Sequence, residues 1–526
     1  MQQRTIFPLR QVLGFTTGTL LSGLPLQAAP PSEEQVTQQL YRDNPYVIPA
    51  PPAEAFDESQ DPFLNQVGKA TLRAYEVTDP QVLELSRRLL SQSGDQAPEV
   101  PIPNPHPDAQ WFPQAGLGLF MHWGIHSVVG AQPSWAMIKN YPYAGDVKLY
   151  PPARYFSLAD HFDPQHWEPD KFLAAAADAG FEYAVLTVKH HDGYALWPSK
   201  FGDFSTADYL PGRDLVRDFV EGCRKNGLKV GLYFSPRDWH YPGYPVRPGH
   251  FDQRHRRIDY GVPAEENQRR FEQFYAFTLG QLQELLTNYG QIDVLWFDGQ
   301  SWQGIDDMRT RAVYQWIRSL QPGIVVNDRW SKVRNPDAED DRQDFGDFYT
   351  VENRDIDDAP DSWWETCLIW DTRGGWGYDV TEQLRPVNWA LQRLIANRAR
   401  GGNLLLNLGP RPTGEMTEGF YQRLPELKQW MTNHRESVIG TRAAEDPSIA
   451  NTPITVGANA LYLFVSPGRT DPIDLTVDQP IASATLLSSG EALTPEHMGK
   501  TYRFKLNAAP DQWTAIRVVL ADPTRE

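Results

Sequence analysis

Residues 293–299 read Asp-Val-Leu-Trp-Phe-Asp-Gly. Val294 to Phe297 form an apolar run too short for a helix and apolar at every position, as expected of a strand buried on both faces. The run stops at a carboxylate, Asp298, and Gly299 behind it gives the backbone room to turn. A strand that is wholly apolar and then ends in a charged group is leaving a core and entering a polar site.

Seven further runs share this form. They are Gly118–Trp123, Tyr183–Lys189, Lys229–Ser235, Ile324–Asn327, Asp347–Val351, Trp364–Ile369 and Asn403–Leu408. Amphipathic stretches lie between most of them, at Pro169–Ala179, Asp214–Asn226, Glu265–Tyr289, Asp306–Leu320 and Thr381–Arg400. Strand and helix alternating in this way predict an α/β chain with a parallel sheet, and eight units predict a (β/α)8 TIM-like barrel over 111–440. After that the helical period gives way to alternating strands at Ala460–Val465, Ile473–Val477, Ala482–Leu487, Tyr502–Leu506 and Trp513–Leu520, a β-sandwich over 441–526.

Upstream, residues 1–28 carry Arg4 and Arg10, an apolar run from Val12 to Leu26, and then Ala28 and Ala29. This pattern predicts a cleaved signal peptide and a secreted or periplasmic protein, and the run is short for a membrane span. Residues 29–110 are an N-terminal segment with a helix at Pro80–Ser93 and a Pro-rich linker whose prolines fall at 98, 101, 103, 105 and 107.

Composition narrows the partners. Lys plus Arg number 49 against 67 for Asp plus Glu, and the net charge of −18 disfavours nucleic acid and anionic membrane surfaces. With only Cys223 and Cys367, no disulfide framework supports the fold. The 17 Trp, 22 Tyr and 24 Phe fill cores in most proteins, and in a sugar-binding cleft they also serve as stacking platforms.

An eightfold barrel builds its site at the carboxyl ends of its strands. Those ends carry His122 and Trp123; His190, His191 and Asp192; Tyr233 and Ser235; Asp298; Asn327, Asp328 and Arg329; Glu352; Glu365; and Asn407. Cleaving a glycosidic bond takes two carboxyl groups, and Asp298 with Glu352 is the best pair, with Glu365 beside Trp363 and Trp364 the rival acid. His122, His126, His190 and His191 are conceivable metal ligands. Neighbouring His190 and His191 on one strand would point to opposite faces, so neutral imidazoles binding ring hydroxyls are expected, and no metal. Arg329 can contact a hydroxyl or hold a carboxylate. Trp135, Trp296 and Trp376 offer apolar faces to a sugar.

These residues fall in motifs that resemble the α-L-fucosidases of glycoside hydrolase family 29. They are FMHWGIHSV at 120–128, AVLTVKHHDGYALWPSK at 184–200, LKVGLYFSP at 228–236, DVLWFDG at 293–299, VNDRW at 326–330, FYTVEN at 348–353, WWETC at 363–367 and GGNLLLNLGP at 401–410. The resemblance spans about 111–440. It implies a barrel with a C-terminal β-sandwich and a retaining, exo-acting hydrolysis of terminal α-L-fucosides through a covalent fucosyl-enzyme. It further implies Asp298 as nucleophile, Glu352 as acid/base, and His122, His190, His191, Tyr233 and Arg329 as fucose-binding residues lined by Trp135 and Trp376. No cofactor is implied, and the partner is a fucosylated oligosaccharide or polysaccharide. One departure stands out: the family usually carries Glu-Trp after the first strand, where this chain has Ser134-Trp135. The same fold and mechanism acting on an α-L-galactoside, or a fucose-binding protein without catalysis, are the alternatives. A basic cluster of Arg247, His250, Arg254, His255, Arg256 and Arg257 is a candidate receptor for an anionic group near the cleaved sugar.

Overall fold

The computed structural model describes residues 39, 44–45, 75–92, 100–138, 150, 152–242, 244, 264–299, 309–330, 346–356 and 358–521. The signal-peptide stretch and the basic cluster at 247–257 lie outside the described residues.

Eight parallel strands, β1 (Leu117–Met121), β2 (Tyr183–Lys189), β3 (Lys229–Phe234), β4 (Val294–Phe297), β5 (Val325–Val326), β6 (Phe348–Glu352), β7 (Trp363–Ile369) and β8 (Asn403–Leu408), form one sheet. Their order is β5-β4-β3-β2-β1-β8-β7-β6. The sheet closes where Asn327 bridges Phe348, with Asp347 N–H donating to Val326 O at 2.7 Å and Asp328 N–H to Phe348 O at 3.1 Å. The (β/α)8 barrel expected from the eight runs is the observed fold.

The long helices are α1 (Pro80–Ser91), α2 (Pro169–Asp178), α3 (Leu215–Lys225), α4 (Ala264–Asn288), α5 (Thr310–Leu320), α6 (Val387–Arg398) and α7 (Glu418–Val438). Their starts follow local chemistry. The Asp79 carboxylate caps α1, the Asp214 carboxylate caps α3, and Pro169 opens α2 with the φ it already has. The expected helix at Thr381–Arg400 instead begins at Val387. Pro386 disfavours helical backbone at Arg385, and Leu384 is used in a bridge to Asp371. Among the described residues no helix is long and apolar enough to cross a membrane.

Side chains of alternate strand residues fill the barrel in layers. Phe120, Tyr183, Val185, Tyr233, Val294, Trp296, Cys367 and Leu405 make one buried cluster. Gly118 has to be glycine, because a Cβ there would stand 2.2 Å from the Tyr183 ring that crosses the lumen. The other end is plugged by the chain before β1. Phe112 packs on Phe348 at 4.3 Å, and Asn403 holds Phe112 O and Gly116 N–H. Buried Arg398 donates to Pro113 O, Gly402 O, Asn403 Oδ1 and Thr441 O. Asn104, in the Pro-rich stretch, is buried and donates to Pro322 O and Ile324 O, which anchors the chain on the barrel at that point.

The carboxyl-terminal region is the expected β-sandwich. Strands β9 (Arg442–Ala443), β10 (Ile454–Val456), β11 (Leu461–Val465), β13 (Ile481–Leu486), β14 (Glu491–Ala492) and β17 (Thr514–Leu520) form a six-stranded sheet, and β12 (Ile473–Thr476), β15 (Glu496–Met498) and β16 (Thr501–Phe504) a three-stranded one. Strand alternation divides the work of β11. Leu463 and Val465 face the sandwich core, whereas Tyr462 and Phe464 join the barrel's core on the other side. Trp430 Nε1–H donating to Trp513 O at 2.6 Å ties that face to α7.

Candidate active site

The strand period carries each layer of side chains past the sheet's edge. Val294 and Trp296 point into the lumen, so Asp298, two residues on, emerges above them. Gly299 takes φ of +75°, and a Cβ there would stand 2.7 Å from the Arg237 guanidinium, so glycine lets β3's loop and β4's end approach.

Around Asp298 the charges are ordered. Tyr233 O–H donates to Asp298 Oδ2 at 2.8 Å, and Arg329 Nη1–H donates to Asp298 Oδ1 at 3.1 Å. The same nitrogen donates to Glu352 Oε2 at 3.0 Å. Those two contacts bound the oxygen–oxygen separation at about 6 Å, below the roughly 6.5–9.5 Å spacing of inverting glycosidases and near that of retaining ones. Burial disfavours a charged Asp298, but the Arg329 guanidinium and the Tyr233 hydroxyl outweigh it and hold the carboxyl below its usual range. Arg329 is itself fixed by its Nε–H to Thr350 Oγ1 and by the Trp296 ring, 4.8 Å beneath the guanidinium.

Three imidazoles surround this pair. His122 Nδ1 meets Asn407 Oδ1 at 2.7 Å, His190 Nδ1 meets Ser134 Oγ at 2.5 Å, and His191 Nδ1 meets Ser235 Oγ at 2.6 Å. His190 lies parallel to the Tyr233 ring at 5.5 Å. Burial pulls His122 down to about 4 and His190 well below its ordinary value, so both are neutral near pH 7 and can exchange hydrogen bonds with hydroxyls. The Trp376 ring is 4.8 Å from His122, and Trp135 stands edge-on to His191 at 5.2 Å. Trp376 is presented by a loop in which Asp371 Oδ1 accepts the N–H groups of Arg373 and Gly374, and Asn407 Nδ2–H grips its carbonyl.

Several expectations are corrected. His190 and His191 do not face apart. β2 ends at Lys189 after a register shift, and ligand atoms of His190, His191 and Asp298 lie within 4.8 Å of one another. Glu365 lies below the site, because register pairs it with Thr350, two residues short of Glu352. Its oxygens accept from Tyr183 O–H and Trp296 Nε1–H, both at 2.7 Å, and burial pushes it up to about 7. Trp296 is likewise floor and not wall, stacked under Tyr233 at 5.4 Å and fully covered. His126 is buried behind His122, pulled down by burial to about 3. Both cysteines are buried and unpaired, as small apolar residues.

Sequence reasoning passed over Arg237, Trp239 and Tyr155. Trp239 packs 5.3 Å from His191, and Tyr155 holds Asp192 from the far side of Ser134. Arg237 and Trp239 follow β3 in Ser-Pro-Arg-Asp-Trp, so reading five residues beyond each strand end would have found them.

Two carboxylates kept this close by one shared cation, in a ring of imidazoles, meet the needs of glycosidic cleavage and define the class as a glycoside hydrolase on an eightfold barrel. Known proteins narrow it. A family model described as Alpha-L-fucosidase matches residues 88–436, and the chain belongs to that family. It is 28% identical to the tissue alpha-L-fucosidase of Mus musculus over 382 residues, 69% of this chain and 76% of the mouse protein. It superposes on alpha-L-fucosidase isoenzyme 1 from Paenibacillus thiaminolyticus with a TM-score of 0.66 at 28% identity, covering 79% of this chain and 99% of that one. An alpha-L-fucosidase of Bacteroides thetaiotaomicron, trapped as a covalent intermediate with 2-fluoro-fucosyl fluoride, shares the fold with a TM-score of 0.67 at 24% identity, covering 81% and 100%.

Proposed function

We propose that this chain removes terminal α-L-fucosyl residues from oligosaccharides or polysaccharides with retention of configuration, using Asp298 as nucleophile and Glu352 as acid/base. The assignment rests on Arg329, whose single Nη1 holds both carboxylates. In the first step Asp298 attacks the anomeric carbon as the bond to the leaving oxygen breaks, and Glu352 gives that oxygen its proton. In the second, Glu352 takes a proton from water, whose oxygen displaces Asp298 from the sugar. Held ionised by Arg329 and Tyr233, Asp298 is ready to attack. His122, His190 and His191 bind ring hydroxyls, and Trp135 and Trp376 cover the apolar side of a single terminal sugar. The covalent intermediate of the Bacteroides relative supports the two-step course. Residues 1–28 support export to a secreted or periplasmic location.

The test is hydrolysis of 4-nitrophenyl α-L-fucopyranoside by wild type and Asp298→Ala, with and without azide. Turnover is expected in the wild type, lost in the variant, and restored by azide as the inverted β-fucosyl azide. Undiminished activity of Asp298→Ala would refute the mechanism.

A further inference from the structure

Ser134 lies behind His190 in a conformation that its surroundings must enforce. It is the central residue of a γ-turn with φ 55° and ψ −43°, closed by Trp135 N–H to Pro133 O at 2.5 Å. This turn type is strained, and strain of this kind persists where packing over-determines it. The turn sends the Ser134 N–H to the Tyr155 oxygen at 2.6 Å and buries the side chain completely.

The buried Oγ has three partners. Asp192 N–H approaches at 2.8 Å, Asp192 Oδ2 at 3.2 Å and His190 Nδ1 at 2.5 Å. A hydroxyl has one proton and two lone pairs. The backbone N–H can only donate, so it takes one lone pair. An ionised Oδ2 can only accept, so it takes the proton. What remains for Nδ1 is the second lone pair, and Nδ1 must therefore carry a hydrogen. The reverse arrangement would set a carboxylate oxygen against a hydroxyl lone pair with no proton between them. Every other contact of Asp192 agrees with this count: Oδ1 accepts Tyr194 N–H at 3.0 Å, and Oδ2 accepts Tyr155 O–H at 3.0 Å. Burial raises Asp192 only to about 6, so it is ionised at pH 8.

We propose that Asp192, acting through the Ser134 hydroxyl, holds His190 in its Nδ1–H tautomer, so that His190 presents the lone pair of Nε2 to the pocket and accepts a proton from a sugar hydroxyl. This rests on the reading of the pocket as the fucose site. Ser134 and Asp192 touch no substrate in this scheme. They are positioning residues that set the direction of one recognition hydrogen bond, as the partner of one imidazole nitrogen sets the role of the other. His122 reaches the same tautomer by another device. Asn407 Nδ2–H is committed to Trp376 O, which leaves the amide oxygen to accept from Nδ1–H.

The experiment is nitrogen NMR at pH 8 on full-length protein carrying 15N-histidine, with the His190 signals identified by their loss in His190→Gln. In wild type, Nε2 of His190 is expected to be unprotonated. In Asp192→Asn the new amide donates to Ser134, the hydroxyl proton turns to Nδ1, and Nε2 becomes the protonated nitrogen. The same variant should lose about 10- to 100-fold in kcat/KM on an α-L-fucoside, the cost of turning one recognition hydrogen bond from acceptor to donor against a buried group. A protonated Nε2 in wild type would overturn the proposal, and that measurement needs no variant to fold. A tautomer that moves as expected with undiminished turnover would overturn the recognition step. Absence of wild-type turnover on any α-L-fucoside would sink the functional reading, while the tautomer measurement still decides the relay.

Discussion

Replacing Glu352 and Glu365 one at a time by glutamine tests which of the two serves as the acid/base. Glu352 stands at the end of β6 with 43% of its side chain exposed, on the nitrogen that also holds Asp298. Glu352→Gln keeps the shape, leaves Arg329 bound to Asp298, and removes a half-exposed ion pair worth about 1 kcal/mol or less, so the fold should barely register it. The chemistry should register it strongly. Loss of a positioned general acid costs about 10²- to 10⁴-fold, and the loss falls on fucosides whose leaving group needs the proton. With 4-nitrophenyl α-L-fucopyranoside the first step needs little help, so the fucosyl-enzyme should accumulate as a burst. Azide should then release it as the α-fucosyl azide, with retained configuration. Glu365 has no room for this role. It is fully buried, with one oxygen on Tyr183 and the other on Trp296. Glu365→Gln mimics its neutral form and should cost less than about tenfold in kcat/KM across all leaving groups, near the worth of one internal hydrogen bond. The assay is kcat/KM for aryl and alkyl fucosides of graded leaving-group acidity, with azide trapping and product stereochemistry. If Glu365→Gln showed the leaving-group dependence and the azide rescue, and Glu352→Gln did not, the argument from register and burial would be wrong.

Glu365 also makes a prediction for pH. Burial raises it from 4.5 to about 7, so between those values the folded chain holds a proton that the unfolded chain has released. Its contribution is therefore present below pH 4.5 and is lost as pH rises through 7, on the order of 3 kcal/mol. Glutamine does not titrate, so the melting-temperature advantage of wild type over Glu365→Gln should shrink between pH 5 and pH 8 in thermal denaturation, and a widening gap would contradict it. At the other end of the barrel, Arg398→Met strips the donors from Pro113 O, Gly402 O and Thr441 O, for a loss of roughly 3 kcal/mol or more. Its melting temperature should fall by several degrees with kcat/KM of the folded enzyme unchanged, and a loss of turnover at full stability would show that the floor communicates with the site.

The barrel was legible because its signal is local. An apolar run such as Val294–Phe297 can satisfy its side chains only inside a sheet covered on both faces, and a charged residue at its end marks where the covering stops. Asp298, Tyr233 and Asn407 follow from the same period of two, counted along single strands. Helix starts were legible where a cap or a proline declares them, and misread at Thr381–Arg400, where a propensity for helix met Pro386. Arg237, Trp239 and Tyr155 were missed because loops have no period, and only the folded chain shows which of their residues turn inward.

By itself the sequence determined the order of strands and helices, the residues at the strand ends, and hence the kind of chemistry the pocket can hold. Only tertiary structure sets Glu352 at the rim and Glu365 beneath it, because depth along the barrel depends on the register of β6 against β7, a pairing between strands that neither strand's own pattern encodes. It decided too that Trp296 is floor, that His190 and His191 converge, and that Ser134 stands between His190 and Asp192. In each case the deciding quantity is a distance between residues far apart in sequence, and a one-dimensional period fixes which way a side chain points but not what it meets there.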